Sequence, residues 1–412
     1  MCQKKEKIME SVKKLIIVGF GQRGQIYANY ARSAPDKFAV AAVVEIDGER
    51  REIAHRQYGC PVFQDLPSLF EAEIQADAAV ISVQDCDHKE YAIQCMEHNY
   101  DILLEKPIAC NLQDCLEIER AQKRYGCRVV VCHVLRYTPF YSGIKEVLDR
   151  GELGEIISIN ASENVGYWHQ AHSFVRGPWR NSGESVPMIV AKCCHDMDII
   201  RWFMGKPCTR VSSFGSLSYF IEKNAPEESA LYCSDCPIKD CIYNAQVFYL
   251  THPSWAKYFH QSEERSVTDD LRHSRYDRCV FKSENDVVDH EVTIMEFENG
   301  ATACHTMTAF SKDIYRDIKI HGTKGELVGV VESNRFEVRL FGGETKVYDI
   351  SEAAVGGHCG GDIGLRNELY DVLCDRVNKN TSFLEVSVDS HRMAFQAENS
   401  RISGEVKKYE FI

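Results

Sequence analysis

Over the first third of the chain, short apolar runs alternate with longer amphipathic segments. The apolar runs have the length and composition of buried strands; they are residues 15–19, 39–45, 78–83, 101–104 and 128–133. The segments between them have a helical pattern; they are residues 22–33, 48–58, 88–98 and 112–125. Buried strands that alternate with helices predict an α/β fold with a doubly wound parallel sheet.

Beyond residue 135 the pattern changes to consecutive strands with few helices. The predicted strands cover residues 156–162, 210–219, 288–297, 301–308, 317–321, 326–330, 336–341 and 346–350. Such a series is typical of a large, mostly antiparallel sheet, so we expect a second domain of the α+β class. Residues 221–286 are polar and irregular and look like an insertion into that domain. The predicted organisation is a flexible tail over 1–13, a first domain over 14–135 and a second over 136–412.

Length and charge narrow the range of partners. The chain has 412 residues, enough for two domains, and a net charge of −13 without a dense basic run. Nucleic acids and anionic membranes are therefore not expected partners. No stretch approaches the roughly 18–20 uninterrupted apolar residues of a membrane span, and residues 1–14 have no apolar core for a signal peptide. We expect a cytoplasmic protein whose 18 cysteines are reduced.

The first predicted strand runs into a glycine motif that opens a helix. Small residues there let backbone N–H groups approach a pyrophosphate; the motif consists of Gly19, Phe20, Gly21, Gln22, Arg23 and Gly24. Glu45 closes the second strand, where its carboxylate can accept hydrogen bonds from ribose hydroxyls. The same carboxylate would repel a 2′-phosphate, so NAD is predicted over NADP. Arg50 and Arg51 lie close enough to bind a phosphate and keep NADP as the alternative.

A lysine follows the fourth apolar run, at the sheet edge where doubly wound folds bind ligands. Lys106 stands between Glu105 and Pro107. An oxidised nicotinamide nearby would disfavour its ammonium form, so Lys106 could assist proton removal from a substrate hydroxyl. Taken alone, the tripeptide favours an ordinary surface lysine.

The chain as a whole resembles the Gfo/Idh/MocA family of nicotinamide-dependent sugar and cyclitol oxidoreductases. The resemblance spans residues 14–375 and rests on the motifs GFGQRG, EKP, DCDHKEYA, RYTP, GELGE and CHDMD. It implies a Rossmann domain followed by an α/β domain with an open sheet. It also implies that Lys106 and His195 are catalytic, with His195 as the general acid/base; an imidazole suits this role because its ordinary pKa is about 6.5. A core histidine at a helix start is the alternative. The further cofactor-binding residues that it implies are Ser82, His88 and Glu105.

The resemblance has one departure close to the histidine. Many family members have an aspartate four residues before it, whereas this chain has Ala191, followed by Lys192. Either Lys192 supplies a polar group to the site or the proton relay is rebuilt. The preceding segment, 163–180, is rich in aromatic and hydrogen-bonding side chains, which suit a polar, ring-shaped ligand. The predicted substrate-binding residues are Trp168, Arg176, Trp179 and Lys192; a packed loop with paired arginines is the alternative.

The insertion carries a cysteine pattern. Cys233, Cys236 and Cys241 form CxxCx4C, and Cys279 lies at the far end of the insertion. We predict structural zinc held by these four cysteines. An iron–sulfur cluster and unliganded or disulfide-forming cysteines are the alternatives. Four protein ligands leave no open coordination position, so the metal is expected to staple a segment too polar to build a core.

A glycine-rich stretch, residues 356–362, precedes a predicted helix over 363–378. It could be a lid that carries His358 and Asp362. Asp362 could also cap the helix, and the two interpretations are compatible.

Together these features predict an NAD-dependent oxidoreductase that transfers a hydride between nicotinamide and a hydroxyl carbon of a sugar, sugar acid, cyclitol or glycoside. One alternative is a glycoside hydrolase that oxidises a ring hydroxyl, eliminates the aglycone and reduces the ring again with the bound cofactor. Another is a non-catalytic dinucleotide sensor, which Lys106 and His195 disfavour. The expected partner is a small carbohydrate-like substrate, and a sheet with an uncovered face favours a homodimer or homotetramer, as in the family.

Overall fold

The computed structural model describes residues 11–260 and 265–409, and the chain forms two compact units. The first unit comprises the residues up to Gly143 together with Ile350–Arg392. The second comprises Ile144–Asp349 and the residues from Met393 onward. Most of the predicted tail over 1–13 lies outside the described residues.

Six parallel strands form the sheet of the first unit, which confirms the predicted doubly wound architecture. They are β1 (Lys13–Val18), β2 (Phe38–Val44), β3 (Val62–Phe63), β4 (Ala78–Ile81), β5 (Asp101–Leu104) and β6 (Val129–Val131). Their order is β3-β2-β1-β4-β5-β6, so the direction of winding reverses between β1 and β4, the place where such sheets bind ligands. The pattern analysis did not detect β3, which is too short to show a periodicity.

Several helices of this part begin at a side-chain cap or end at a glycine. The helices are α1 (Gln22–Ala28), α2 (Tyr30–Ser33), α3 (Gly48–Tyr58), α4 (Leu66–Glu71), α5 (His88–Glu97), α6 (Leu112–Tyr125) and α7 (Pro139–Asp149). The Asp47 side chain accepts from the Arg50 N–H at the start of α3, and Gly59, with φ +63°, ends it. The predicted bounds of α3 are confirmed. They could be predicted because both signals lie next to the helix in the sequence.

Residues near the C-terminus return to the first unit. Helix α14, over Gly361–Leu373, buries Leu365, Leu369 and Tyr370 in the same apolar cluster as Leu15 of β1. The predicted second domain over 136–412 is therefore corrected for Ile350–Arg392, which belong to the first unit. The apolar face of α14 is buried by the sheet of the first unit, which a linear division of the chain does not reveal.

Two cysteines of the first unit form a disulfide, contrary to the expectation that all cysteines are reduced. Cys86 follows β4 and Cys110 follows β5, with 5.2 Å between their Cα atoms. The reason is topological: β4 and β5 are parallel neighbours, so the segments after them leave the same edge of the sheet.

The second unit contains a nine-stranded, mostly antiparallel sheet, as predicted. Its further strands are β7 (Ile156–Asn164), β8 (Cys208–Ser216), β9 (His290–Phe297), β10 (Thr302–Thr308), β11 (Tyr315–Gly322), β12 (Gly325–Val330), β13 (Arg335–Leu340), β14 (Thr345–Asp349) and β15 (Lys407–Lys408). The order is β14-β13-β12-β11-β7-β10-β9-β8-β15, and β7 and β10 are its parallel pair.

Most of the remaining helices, including the longest one, are not among the predicted elements. The remaining helices are α8 (Tyr167–His169), α9 (Met188–Ala191), α10 (Cys194–Met204), α11 (Ala245–Thr251), α12 (Pro253–Ala256), α13 (Val267–Arg272) and α15 (Leu384–Ser403). The 20-residue α15 was not predicted. Throughout 11–260 and 265–409, no helix is long and apolar enough to cross a membrane.

The insertion over 221–286 has a small core of its own. Tyr249, Leu271 and Tyr276 are buried there together with Cys233. A bridge between Tyr232 and Arg278 joins its two ends. The expectation that this segment is too polar to build a core is therefore corrected, because its scattered aromatic residues meet only in three dimensions.

Candidate functional site

The glycine turn between β1 and α1 is shaped by the segment after β4. Gly19 has φ +86°, and a Cβ there would lie 2.6 Å from the carbonyl oxygen of Ser82. A Cβ on Gly24 would overlap the Gly19 oxygen. A Cβ on Gly21 would meet no atom of the described residues within 4 Å, apart from its own chain neighbours. Packing therefore requires the outer glycines, and the open backbone at Gly21 is where a pyrophosphate could approach. Ser82 Oγ donates to the Gly19 oxygen over 3.0 Å and so holds the turn.

Glu45 binds the same turn from the end of β2. Its carboxylate accepts from the N–H of Phe20 over 2.6 Å and from the N–H of Asp47 over 3.0 Å. Arg51 donates to the carbonyl oxygens of Glu45 and Ile46, over 2.6 and 2.8 Å. The acidic group thus stands at the predicted position, and Arg51, one of the two arginines that could have served a 2′-phosphate, is bonded to backbone. That Glu45 binds a ribose stays a prediction.

Arg23, Glu105 and Asp362 form a buried charge network in the first unit. Arg23 donates to Glu105 over 2.5 Å and to Asp362 over 3.1 Å, and the Tyr27 hydroxyl also donates to Glu105. Burial alone would raise the pKa of Glu105, but Arg23 and Lys106 lower it further than burial raises it. For Asp362, burial is likewise outweighed, by His358 and Arg23, and its pKa is about 2. Asp362 does not cap α14, whose N-cap is Gly360, so the capping interpretation is corrected.

Lys106 lies in the turn after β5, and His88, the first residue of α5, contacts that turn. Lys106 follows β5 and is half-buried, and its backbone N–H donates to the Glu105 carboxylate over 2.8 Å. Nδ1 of His88 donates to the Pro107 carbonyl over 2.7 Å. The buried His88 therefore fixes the turn that carries the lysine, and its predicted contact with a cofactor stays a prediction.

His195 is the second residue of α10 and is 7% exposed. The adjoining Lys192 places Nζ 3.4 Å from Oε1 of Glu163, a carboxylate that is fully buried. Glu163 on β7 is directly opposite Arg316 on β11, with which it forms an ion pair. At the position where many family members have an aspartate, this chain has Ala191. The carboxylate beside Lys192 is instead Glu163, which comes from strand β7.

Arg316 extends this network to the residue after His195. Its Nε donates to Asp196 over 2.9 Å, and Asp196 Oδ2 lies 4.0 Å from Nε2 of His305. The sequence does not predict Glu163, Arg316 and Asp196 as a group, because Glu163 and Arg316 lie just outside the predicted strands 156–162 and 317–321 and only the longer observed strands include them. Cys193, Asp196 and His305 have metal-ligating atoms within 4.8 Å of one another. Arg316 already supplies the positive charge at Asp196, so this group is explained without a metal ion.

The predicted substrate segment packs against the insertion. Trp168 lies 5.6 Å, between ring centroids, from Phe248 of α11 and 5.1 Å from Trp255 of α12. His169 beside it is half-buried, and desolvation and the Lys192 charge hold its pKa well below the ordinary value. Trp168, Trp179 and Lys192 stay predicted substrate residues, because each is partly accessible.

Arg176 has a structural role, which corrects its prediction as a substrate residue. It is 3% exposed and ends a π-helix over Gln170–Arg176. Its guanidinium donates to the carbonyl oxygens of Arg278 and Tyr243, over 2.6 and 2.7 Å, and lies 3.5 Å from Sγ of Cys233. Its donors are thus used to hold the two ends of the insertion together.

The four cysteines of the insertion surround one cavity. Cys233, Cys236, Cys241 and Cys279 line it together with Arg176. Burial raises the pKa of Cys241 and the pKa of Cys279. The structure therefore brings together the cysteines that the spacing grouped, and the bound metal stays a prediction.

Comparisons with known proteins match both parts of the chain. The oxidoreductase family with an NAD-binding Rossmann fold matches residues 13–133, and the family's C-terminal alpha/beta domain matches residues 145–397. Putative oxidoreductase YteT of Bacillus subtilis is 24% identical over 400 residues, which cover 87% of this chain and 89% of that protein. Inositol 2-dehydrogenase 2 of Saccharopolyspora erythraea is 29% identical over 197 residues, 46% of this chain and 53% of its own length.

A solved structure supports the fold along almost the whole chain. Levoglucosan dehydrogenase, in complex with NADH and levoglucosan, has a TM-score of 0.71 at 17% identity and covers 97% of this chain and 99% of its own. At that identity the likeness establishes the fold alone.

Proposed function

The chain belongs to the Gfo/Idh/MocA oxidoreductase family, and from that premise we propose that it is an NAD-dependent dehydrogenase acting on a hydroxyl of a sugar, sugar acid, cyclitol or glycoside. The observation that carries the proposal is the position of Lys106. It lies two residues after the end of β5, at the carboxyl edge of a sheet whose winding reverses between β1 and β4, where doubly wound folds bind ligands. The dehydrogenases among the relatives support the substrate class.

The residues around the glycine turn suit a dinucleotide. The open backbone at Gly21 would receive the pyrophosphate, and Glu45 would accept from the adenosine ribose, which favours NAD over NADP. Bound NAD supplies the nicotinamide that accepts the hydride. Ser82 and His88 hold the turns around this region, and Arg23 and Glu105 connect the glycine turn to the turn that carries Lys106.

We assign the proton transfer to Lys106 and His195. Both occupy motif positions of the family, and imidazole and amine nitrogens are groups that can exchange a proton with a substrate hydroxyl. Lys192 takes part as a substrate-orienting cation held by Glu163, which compensates for Ala191. Trp168 and Trp179 provide the aromatic surface for a ring-shaped substrate.

A substrate panel tests the proposal. The full-length protein is incubated with NAD and single sugars, sugar acids, cyclitols and glycosides, and both NADH and product are measured. Net NADH formation with at least one of them supports the dehydrogenase. Product release without net NADH would instead indicate the redox-assisted glycoside hydrolase, and NAD binding without turnover would indicate the sensor. Lys106→Met, measured alongside, separates turnover by this protein from that of a contaminant.

We also propose that the four cysteines of the insertion hold a structural metal centre. The support is their common cavity and the buried Arg176 cation beside Cys233. Zinc is the ion that the spacing of these cysteines in the sequence predicts. Metal analysis of the purified protein tests the centre.

We further propose that the protein forms a homo-oligomer through the sheet of the second unit. We also propose that it is located in the cytoplasm. Phe214 and Val292 are paired across β8 and β9, and with Ile294 they form an apolar strip, 66%, 37% and 50% exposed respectively. Such strips mark interaction surfaces. Light scattering should give a dimer or tetramer, and Ile294→Asp should shift it toward monomer. Fractionation of the source cells tests the location.

A further inference from the structure

The distances between the four cysteine sulfurs distinguish a single metal ion from a cluster. A tetrahedral zinc ion lies about 2.3 Å from each of four sulfurs, which places the sulfurs about 3.8 Å from one another. Among the described residues, no three of Cys233, Cys236, Cys241 and Cys279 have sulfurs within 4.8 Å of one another. A single ion would therefore require the site to contract, although all four cysteines line the same cavity.

A cluster of several metal ions fits a wider arrangement of the same ligands. In an iron–sulfur cluster each cysteine binds its own iron or shares one with a single partner, and sulfurs on different irons are about 6 Å apart or more. Four cysteines, with two or three of them close in sequence, are also its usual ligand set. We propose that Cys233, Cys236, Cys241 and Cys279 bind an iron–sulfur cluster. This inference deepens the metal-centre proposal and rests on it.

The surroundings of the cavity suit a negatively charged cluster. Four thiolates give such a cluster a net negative charge, and a buried negative charge needs a nearby cation. Arg176 provides it: its guanidinium is 3.5 Å from Sγ of Cys233. A hydrogen bond from such a donor stabilises a cluster sulfur.

The position of the cluster predicts a structural role beside the substrate segment. Arg176 ends the π-helix that follows Trp168 and His169. The insertion in turn packs Phe248 and Trp255 against Trp168. A cluster that joins the ends of the insertion would therefore hold this aromatic surface in place, and its loss should loosen it.

Metal analysis of the full-length protein tests the cluster. The protein is expressed with iron and cysteine supplied, purified without oxygen, and assayed for iron, acid-labile sulfide and zinc. We expect equal iron and sulfide, about two of each for a [2Fe–2S] and about four for a [4Fe–4S] core. Zinc should be below about a tenth per chain, and the visible absorbance should bleach with dithionite. Cys236→Ser and Cys241→Ser should lose most of the absorbance, whereas Cys304→Ser, a partly exposed cysteine on β10, should keep it.

The outcomes separate this inference from the proposals it rests on. About one zinc per chain without iron would overturn the cluster and uphold the metal centre. Protein that carries neither metal under these conditions would overturn both, while net NADH formation in the substrate panel would still uphold the dehydrogenase. If a cysteine variant fails to fold, the iron and sulfide content of the unaltered protein decides the matter.

Discussion

The guanidinium of Arg23, inside the glycine turn, donates to the carboxylate of Glu105, the residue directly before Lys106. Arg23 also binds Asp362, the second residue of α14, so three segments distant in the sequence share one ion-pair network in the first unit. Glu105 and Asp362 are 6% and 9% exposed. Buried pairs of this kind are costly to break, because removing one partner leaves the other charge uncompensated.

Asp362→Asn should lower the free energy of unfolding by about 2 kcal/mol at pH 7. The pKa of Asp362 is about 2, below its ordinary 3.8, and each unit of difference corresponds to about 1.4 kcal/mol. Because the pKa is lowered in the folded state, this contribution is present above pH 4 and disappears as the pH falls through 2. Urea unfolding between pH 7 and pH 2.5 should therefore show the two proteins converging in acid.

Asp371→Asn is the matched control for this change. Asp371 pairs with Arg376, but both side chains are more than two-fifths exposed, and exposed pairs contribute about 0–1 kcal/mol. An equal loss in the two variants, or a difference for Asp362→Asn that stays constant with pH, would contradict the network.

Glu45→Ala should weaken NAD binding by about 1–3 kcal/mol, or roughly 5–150-fold. The substitution removes the predicted ribose acceptor and also leaves the Phe20 N–H without its carboxylate partner. Calorimetric titration with NAD and NADP measures the change, and the unaltered protein should prefer NAD. Glu52→Ala, at an exposed position on α3, should leave both affinities unchanged. Tighter binding of NADP by the unaltered protein would show that Glu45 does not face the ribose.

Local signals explain what could be predicted from the sequence. The bounds of α3 follow from Asp47 and Gly59, which lie next to it. The strands of the second unit follow from alternation along each strand, and the glycine turn from its own motif. The return of α14 to the first unit and the disulfide between Cys86 and Cys110 depend on strand order, which no single segment encodes.

In the candidate site, too, local motifs could be predicted from the sequence, whereas contacts between distant segments could not. Lys106 and His195 stand in recognisable motifs, but the pairing of Glu163 with Arg316 depends on the register between β7 and β11, 153 residues apart. Arg176 illustrates the opposite error. Its aromatic sequence context suggested a substrate ligand, and only the fold shows that its donors bind the carbonyl oxygens of the insertion.

Glu163→Gln should destabilise the protein by about 3–5 kcal/mol, because it leaves the buried ends of Lys192 and Arg316 with one carboxylate fewer. Glu163→Gln combined with Lys192→Met should recover part of the loss, since one of the two cations is then removed as well. Thermal and urea unfolding measure both. Glu155→Gln, at an exposed position just before β7, is the control and should cost less than about 0.5 kcal/mol. A loss no larger for Glu163→Gln than for Glu155→Gln would show that the ion pairs contribute nothing to stability.

Lys106→Met and His195→Ala should each lower kcat by about 10²–10⁴, the usual contribution of a positioned acid or base, while NAD affinity stays nearly unchanged. The assay uses the substrate that the panel identifies. Lys123→Met, at an exposed position on α6, is the matched control and should keep full turnover.

The double variant Lys106→Met/His195→Ala distinguishes one shared proton path from two separate roles. Groups that serve the same proton transfer are not independent, so the double variant should be little slower than the slower single variant. Separate roles would instead multiply the two losses. If His195→Ala retains near wild-type turnover, the role assigned to His195 is wrong. Lys192 then becomes the residue to change, because it lies three positions before His195 and its ammonium is held by the buried Glu163. In that case Lys192→Met should produce the loss of kcat that His195→Ala does not.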